Sequence, residues 1–140
     1  MLNEFTFKSK DEWRSELIAR RLEITDKPAR SERATRRVLP LLKGNVLVYV
    51  SMSSELCTRG LIKSLLANNA VTVYAPYTID GEIMPRRVVS VSEPDKWGNM
   101  PSDCYAAEPC EKERDRSINI DYCITPLLGF NCDGYRIGYG

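Results

Sequence analysis

The chain has 140 residues, 43% hydrophobic and 28% charged, which suits one ordinary hydrophobic core and excludes fibrous, low-complexity and disordered classes. Its 20 basic and 19 acidic residues leave a formal charge of +1, so no whole-molecule field attracts nucleic acid or an anionic membrane, and any anion site must be local. No apolar run of about 18 residues exists, and the first ten residues carry charges where a signal peptide needs an apolar stretch. The expectation is a cytoplasmic monomer with no nucleic-acid or membrane partner.

The five cysteines, Cys57, Cys104, Cys110, Cys123 and Cys132, are odd in number and irregularly spaced, and histidine is absent. Neither a zinc site nor a Ser-His or Cys-His nucleophile is available, and reduced thiols are expected.

In chain order, Ser9 and Glu12 form a Ser-x-x-Glu capping box that opens a helix, with Trp13, Leu17 and Leu22 or Ile24 on its inner face. Thr25 and Asp26 before Pro28 start a second helix that turns Ala34 and Val38 inward and ends or kinks at Pro40. Its basic stretch, residues 30–37, reads as a solvated face because Glu32 and the helical spacing scatter the charge. After the turn residues Lys43, Gly44 and Asn45, residues 46–50 form a continuous apolar run, as in a strand buried on both faces. Leu61, Ile62, Leu65 and Leu66 give a helical stripe stopped by Asn68 and Asn69, and residues 71–75 make a second strand before Pro76.

Strand, helix, strand implies a parallel crossover. Residues 84–91 read as a further strand, residues 92–117 as a long irregular connection, residues 120–125 as another strand and residues 131–134 as a turn. The fold class expected is α/β: a single domain over residues 1–140, a mostly parallel sheet with helices on both faces, Rossmann-like and three-layered.

In open parallel sheets, ligands collect outside the carboxyl ends of the strands. Three features qualify as candidates. Glu55 follows the first strand, though it also fits a helix N-terminal acid. The end of the chain, Gly134, Tyr135, Arg136, Ile137, Gly138, Tyr139 and Gly140, allows backbone N–H groups to approach an anion, and fits a hairpin as well. Lys10 and Arg14, at i, i+4 on the first helix, are like charges that repel unless solvent or an anion intervenes.

These residues carry a resemblance. Lys10 to Arg14 is similar to a Lys-x-x-x-Arg motif, residues 51–58 to a post-strand segment ending Glu-x-x-Thr, and Ala107-Glu108-Pro109 to a Glu-Pro or Gln-Pro in a long loop. Residues 125–140 resemble the signature Pro-x-x-x-Phe-Asp-x-x-Gly-x-Arg-Leu-Gly-x-Gly. The family so marked is 5-formyltetrahydrofolate cyclo-ligase, also called 5,10-methenyltetrahydrofolate synthetase.

The resemblance implies a ligase of one-carbon metabolism that uses ATP and Mg²⁺ to convert 5-formyltetrahydrofolate into 5,10-methenyltetrahydrofolate, ADP and phosphate. The formyl oxygen attacks the γ-phosphate, and N10 then closes the ring and expels phosphate, chemistry that needs positioning more than a protein base. By this likeness, Lys10, Arg14, Arg136, Ile137, Gly138, Tyr139 and Gly140 bind ATP. Arg14, Val50, Met52, Glu55, Tyr105 and Tyr139 bind the folate, with Glu55 accepting from pterin N–H groups. No acid-base catalytic residue and no metal ligand is assigned within the chain.

The family signature continues beyond Gly140 with glycine, two aromatics and a magnesium-binding Asp, so the domain is expected to be incomplete at its C-terminus and weak in turnover. The alternative expectation is a noncatalytic folate- or nucleotide-binding remnant of the same family. A sugar-phosphate isomerase or transferase is a third reading, with Glu55 its sole good acid-base candidate.

Overall fold

A computed structural model of the chain describes residues 8–52, 54–91, 105–107 and 118–139. The chain packs as two compact units, one of Met1–Thr25 with Pro126–Gly140 and the other of Asp26–Thr125.

In the first unit, helix α1 (Lys10–Leu22) begins where the capping box requires: the Ser9 side chain accepts the Glu12 N–H and the Glu12 carboxylate accepts the Ser9 N–H. Asp11 and Glu12 in the first turn and Arg20 and Arg21 in the last oppose the helix dipole. The residue before the cap is Lys8, whose amino group sits 4.9 Å from the Trp13 ring centroid, so a cation–π contact stands where a hydrophobic staple often does. The other part of this unit is a short hairpin of β6 (Gly129–Phe130) and β7 (Arg136–Ile137), joined by the residue 131–134 turn. Asn131 builds that turn: its side-chain oxygen accepts from the Asp133 and Tyr135 N–H groups, and Gly134 takes φ +83°. A β-carbon on Gly129 would lie 2.9 Å from Leu17 Cδ1, which marks how closely α1 packs on β6.

In the second unit, α2 (Lys27–Val38) carries Pro28 in its first turn and runs into a 3₁₀ turn, Leu39–Leu41, that contains Pro40. Three of its arginines are paired locally, Arg30 and Arg33 with Asp26 and Arg36 with Glu32. A five-stranded sheet follows in the order β4-β3-β2-β1-β5, from β1 (Gly44–Val48), β2 (Val71–Ile79), β3 (Glu82–Val91), β4 (Tyr105–Ala107) and β5 (Tyr122–Ile124). β1 is parallel to β2 and β5, while β3 is antiparallel to both β2 and β4, so four of the five strands run one way. The fold is α/β with a mostly parallel sheet.

Helix α3 (Arg59–Leu66) makes the β1–α3–β2 crossover and seats Leu61, Ile62 and Leu65 on Val46, Val48, Val73, Ala75 and Val88. Burying each such side chain stabilises by about 1.5–3 kcal/mol. β1 alternates, with Val46 and Val48 fully buried and Leu47 between them only half-buried, rather than being buried equally on both faces.

Three local features depart from the sequence expectation. Pro76 does not end β2, because it lies beyond Tyr74, the last β2 residue paired with β1, so no ladder on that side needs its missing N–H. β2 instead continues into a hairpin through Asp80 and Gly81, at φ +51° and +80°, the left-handed pair that a two-residue type I′ turn demands. The connection expected to be irregular contains β4, which pairs with β3 across a register shift between Val88 and Ser90; the rest of residues 92–117 lies outside the described residues.

Candidate functional site

The post-strand segment of the second unit is held by side chains returning to its own backbone. Thr58, 1% exposed, donates from Oγ1 to the Tyr49 carbonyl at 2.7 Å and accepts the Ser51 N–H at 3.2 Å, while its own N–H donates to Ser51 Oγ. The Cys57 N–H donates to Ser31 Oγ, which in turn donates to the Lys27 carbonyl, tying the segment to α2.

Within it, Glu55 and Met52 clasp each other: the Glu55 N–H donates to the Met52 carbonyl and Glu55 Oε2 accepts the Met52 N–H, both at 2.8 Å. Glu55 precedes α3 by several residues, so it is not the helix N-terminal acid that its sequence context also allowed. Its carboxylate belongs to the turn.

Of the other expected folate contacts, Val50 is buried and Met52 is 65% exposed. Tyr105 is placed by its backbone alone, as the first residue of β4; its side chain is outside the description. Glu55 lines a cleft of about 620 Å³ with Lys27, Ser31, Arg36, Cys57 and Ser64 among its other walls, and neither Val50 nor Met52 is part of that lining.

In the first unit, Lys10 opens α1 and is exposed, as is Arg136 on β7, while Ile137 is half-buried. Arg14 is the link. Its Nε donates to the Gly138 carbonyl at 3.2 Å, across 124 residues of sequence, and one terminal nitrogen pairs with Asp11 at 2.6 Å. Asp11 thus offsets part of the Lys10–Arg14 repulsion without any external anion. The Tyr139 hydroxyl accepts from Arg21 at 2.7 Å. Gly140 lies outside the described residues.

The structure therefore brings Lys10, Arg14, Arg136, Ile137, Gly138 and Tyr139 into one compact unit, and Val50, Met52, Glu55 and Tyr105 into the other.

The 5-formyltetrahydrofolate cyclo-ligase family model matches residues 6–140. The chain belongs to this family. Among solved structures, it is similar to the NMR structure of Aquifex aeolicus 5,10-methenyltetrahydrofolate synthetase, with a TM-score of 0.67 and 24% identity, over 94% of this chain and 67% of that one. That likeness is one of fold. No match is found among curated proteins.

Among the described residues, no group of three or more Asp, Glu, Cys or His could hold a metal ion. No helix among the described residues is long and apolar enough to cross a membrane. Arg21 is the residue that sequence reasoning passed over. Its signal was its place two helical turns after Arg14, on the same face of α1.

Proposed function

We propose that the chain binds ATP through the α1 and glycine-loop residues of its first unit and 5-formyltetrahydrofolate through the Glu55 turn of its second, and that it catalyses ATP- and Mg²⁺-dependent closure to 5,10-methenyltetrahydrofolate. The observation that carries this reading is the Arg14 Nε bond to the Gly138 carbonyl. It joins the stretches that resemble two motifs of the family, Lys-x-x-x-Arg and Gly-x-Arg-Leu-Gly, which lie at opposite ends of the sequence.

In this reading Lys10 and Arg136, both exposed cations, neutralise phosphate charge, and the backbone near Gly138 and Tyr139 supplies N–H donors. Ile137 and Gly140 complete the loop, with Tyr139 also bordering the folate. Arg14 positions the loop while its remaining guanidinium donors serve phosphate or folate. Glu55 offers its carboxylate to pterin N–H donors, and Val50, Met52 and Tyr105 provide apolar or stacking surface. The transfer step needs charge neutralisation and alignment rather than a protein base, which suits a chain without histidine.

Calorimetric titration tests the reading. Saturable binding of 5-formyltetrahydrofolate and, separately, of ATP is expected; absence of either overturns the assignment of the corresponding residues. Binding of both without any turnover would favour the noncatalytic alternative.

A further inference from the structure

Resting on the nucleotide reading above, we propose that Arg21 is a positioning residue for the glycine loop. It clasps Tyr139 and, together with Arg14, sets the direction in which the loop presents its backbone N–H groups to phosphate. Arg21 sits in the last turn of α1 and is partly buried. One of its terminal nitrogens donates to the Tyr139 hydroxyl at 2.7 Å, the other donates to the Leu127 carbonyl, and the guanidinium lies 5.4 Å from the Tyr139 ring centroid. A planar guanidinium meeting three features of one neighbouring segment is a rigid fixture, which an ammonium on a flexible stem reproduces only in part.

Arg14 fixes the adjacent point. The Gly138–Tyr139 peptide is trans, since the described chain has no cis peptide bonds, and a trans peptide points its carbonyl and its N–H in opposite directions. With the Gly138 carbonyl turned to Arg14, the Tyr139 N–H faces away from that guanidinium. Arg21 then stops the plane from rolling by anchoring the side chain of the same residue. Two arginines on one face of α1 therefore hold two consecutive loop residues, one by its carbonyl and one by its ring and hydroxyl. A donor aimed in advance costs no reorganisation when phosphate arrives, whereas a donor on a loose loop must first be ordered.

The test compares Arg21→Ala, Arg21→Lys, Tyr139→Phe, the double variant Arg21→Ala/Tyr139→Phe and Arg136→Ala. Calorimetry reads ATP and 5-formyltetrahydrofolate affinity, hydrogen exchange reads the 134–139 amides, and thermal unfolding serves as the control for folding. Arg21→Ala is expected to weaken ATP binding about tenfold, the size of one lost charge-assisted hydrogen bond. Folate affinity should fall much less than ATP affinity, exchange should quicken at residues 134–139, Arg21→Lys should restore part of the loss, and the double variant should be no weaker than the single one. Equal weakening of both ligands, in step with a lower unfolding temperature and no rescue by lysine, would mean Arg21 merely supports the fold and would overturn the clasp. If Arg21→Ala does not fold, Arg21→Lys and Tyr139→Phe carry the same comparison. ATP affinity reduced by Arg136→Ala but indifferent to Arg21 and Tyr139 would refute this inference alone. Affinity indifferent to Arg136 as well would refute the nucleotide reading with it.

Discussion

Ser51 and Thr58 hold each other by a reciprocal pair of 3.2 Å hydrogen bonds, each N–H donating to the other's hydroxyl oxygen, while Thr58 Oγ1 donates onward to Tyr49. This ties together the two ends of the segment carrying Glu55. Thr58→Val keeps the volume but removes the acceptor of the Ser51 N–H and the hydroxyl donor to the Tyr49 carbonyl, both in part-buried positions. It should destabilise the chain by about 1–3 kcal/mol and weaken folate binding, whereas Thr58→Ser should retain the loop. Denaturant unfolding and folate titration of the two variants check this.

Glu55→Gln leaves an amide oxygen that can still accept the Met52 N–H, so the turn bond seen at 2.8 Å should survive and unfolding should be little changed. The charge-assisted acceptor for the pterin is lost, and folate affinity should fall by about 1.5–3 kcal/mol. ATP affinity should be nearly constant. Unchanged folate affinity would falsify the role given to Glu55.

The carboxylates of Glu12, Glu16 and Asp26 are all held below their ordinary range, chiefly by the Ser9 N–H, the Lys8 amine and the Arg30 guanidinium respectively. The folded chain therefore binds fewer protons than the unfolded one in mild acid. Stability from these groups is fully present above the ordinary carboxylate range of about pH 4 and is lost as pH falls through the lowered values. The protection of the first-turn amides of α1, taken relative to their intrinsic exchange rate at each pH, should be flat from neutral pH to about 5 and fall below about 4. In Glu12→Gln, which keeps a capping acceptor without a titrating charge, that fall should be smaller.

Gly44 and Gly60 should respond oppositely to alanine. Gly44 has φ +69°, and a β-carbon there would overlap Asp121 Oδ2, the same oxygen that accepts the Asn45 N–H at 2.8 Å. Gly44→Ala should cost at least about 2 kcal/mol. Gly60 lies in the first turn of α3, where an added methyl would meet nothing within 4 Å, so Gly60→Ala should stabilise by about 0.4–1 kcal/mol. Thermal unfolding of the pair decides it.

Local signals were the legible part of the fold. The Ser9–Glu12 box, the apolar run from Val46 and the stripe of Leu61, Ile62 and Leu65 each state their structure within a few residues, because capping and burial periodicity are short-range. Pro76 misled because its effect depends on whether a neighbouring strand needs its N–H, which is a property of the sheet. Asp80-Gly81 was a readable hairpin signal, and reading residues 71–75 as a strand ending at Pro76 obscured it. In the candidate site, residue types were legible through motifs, but the Arg14–Gly138 and Arg21–Tyr139 contacts were not, since bonds spanning more than a hundred residues leave no spacing pattern.

The most direct test of the proposed activity is the appearance of methenyl product, which absorbs in the near ultraviolet where 5-formyltetrahydrofolate does not. The chain should produce this band above the protein-free rate when folate, ATP and Mg²⁺ are all present, and lose it when any one is withheld or when Arg136 is replaced by Ala. ATP hydrolysis that proceeds without folate, or ligand binding with no band above background, would contradict the cyclo-ligase reading.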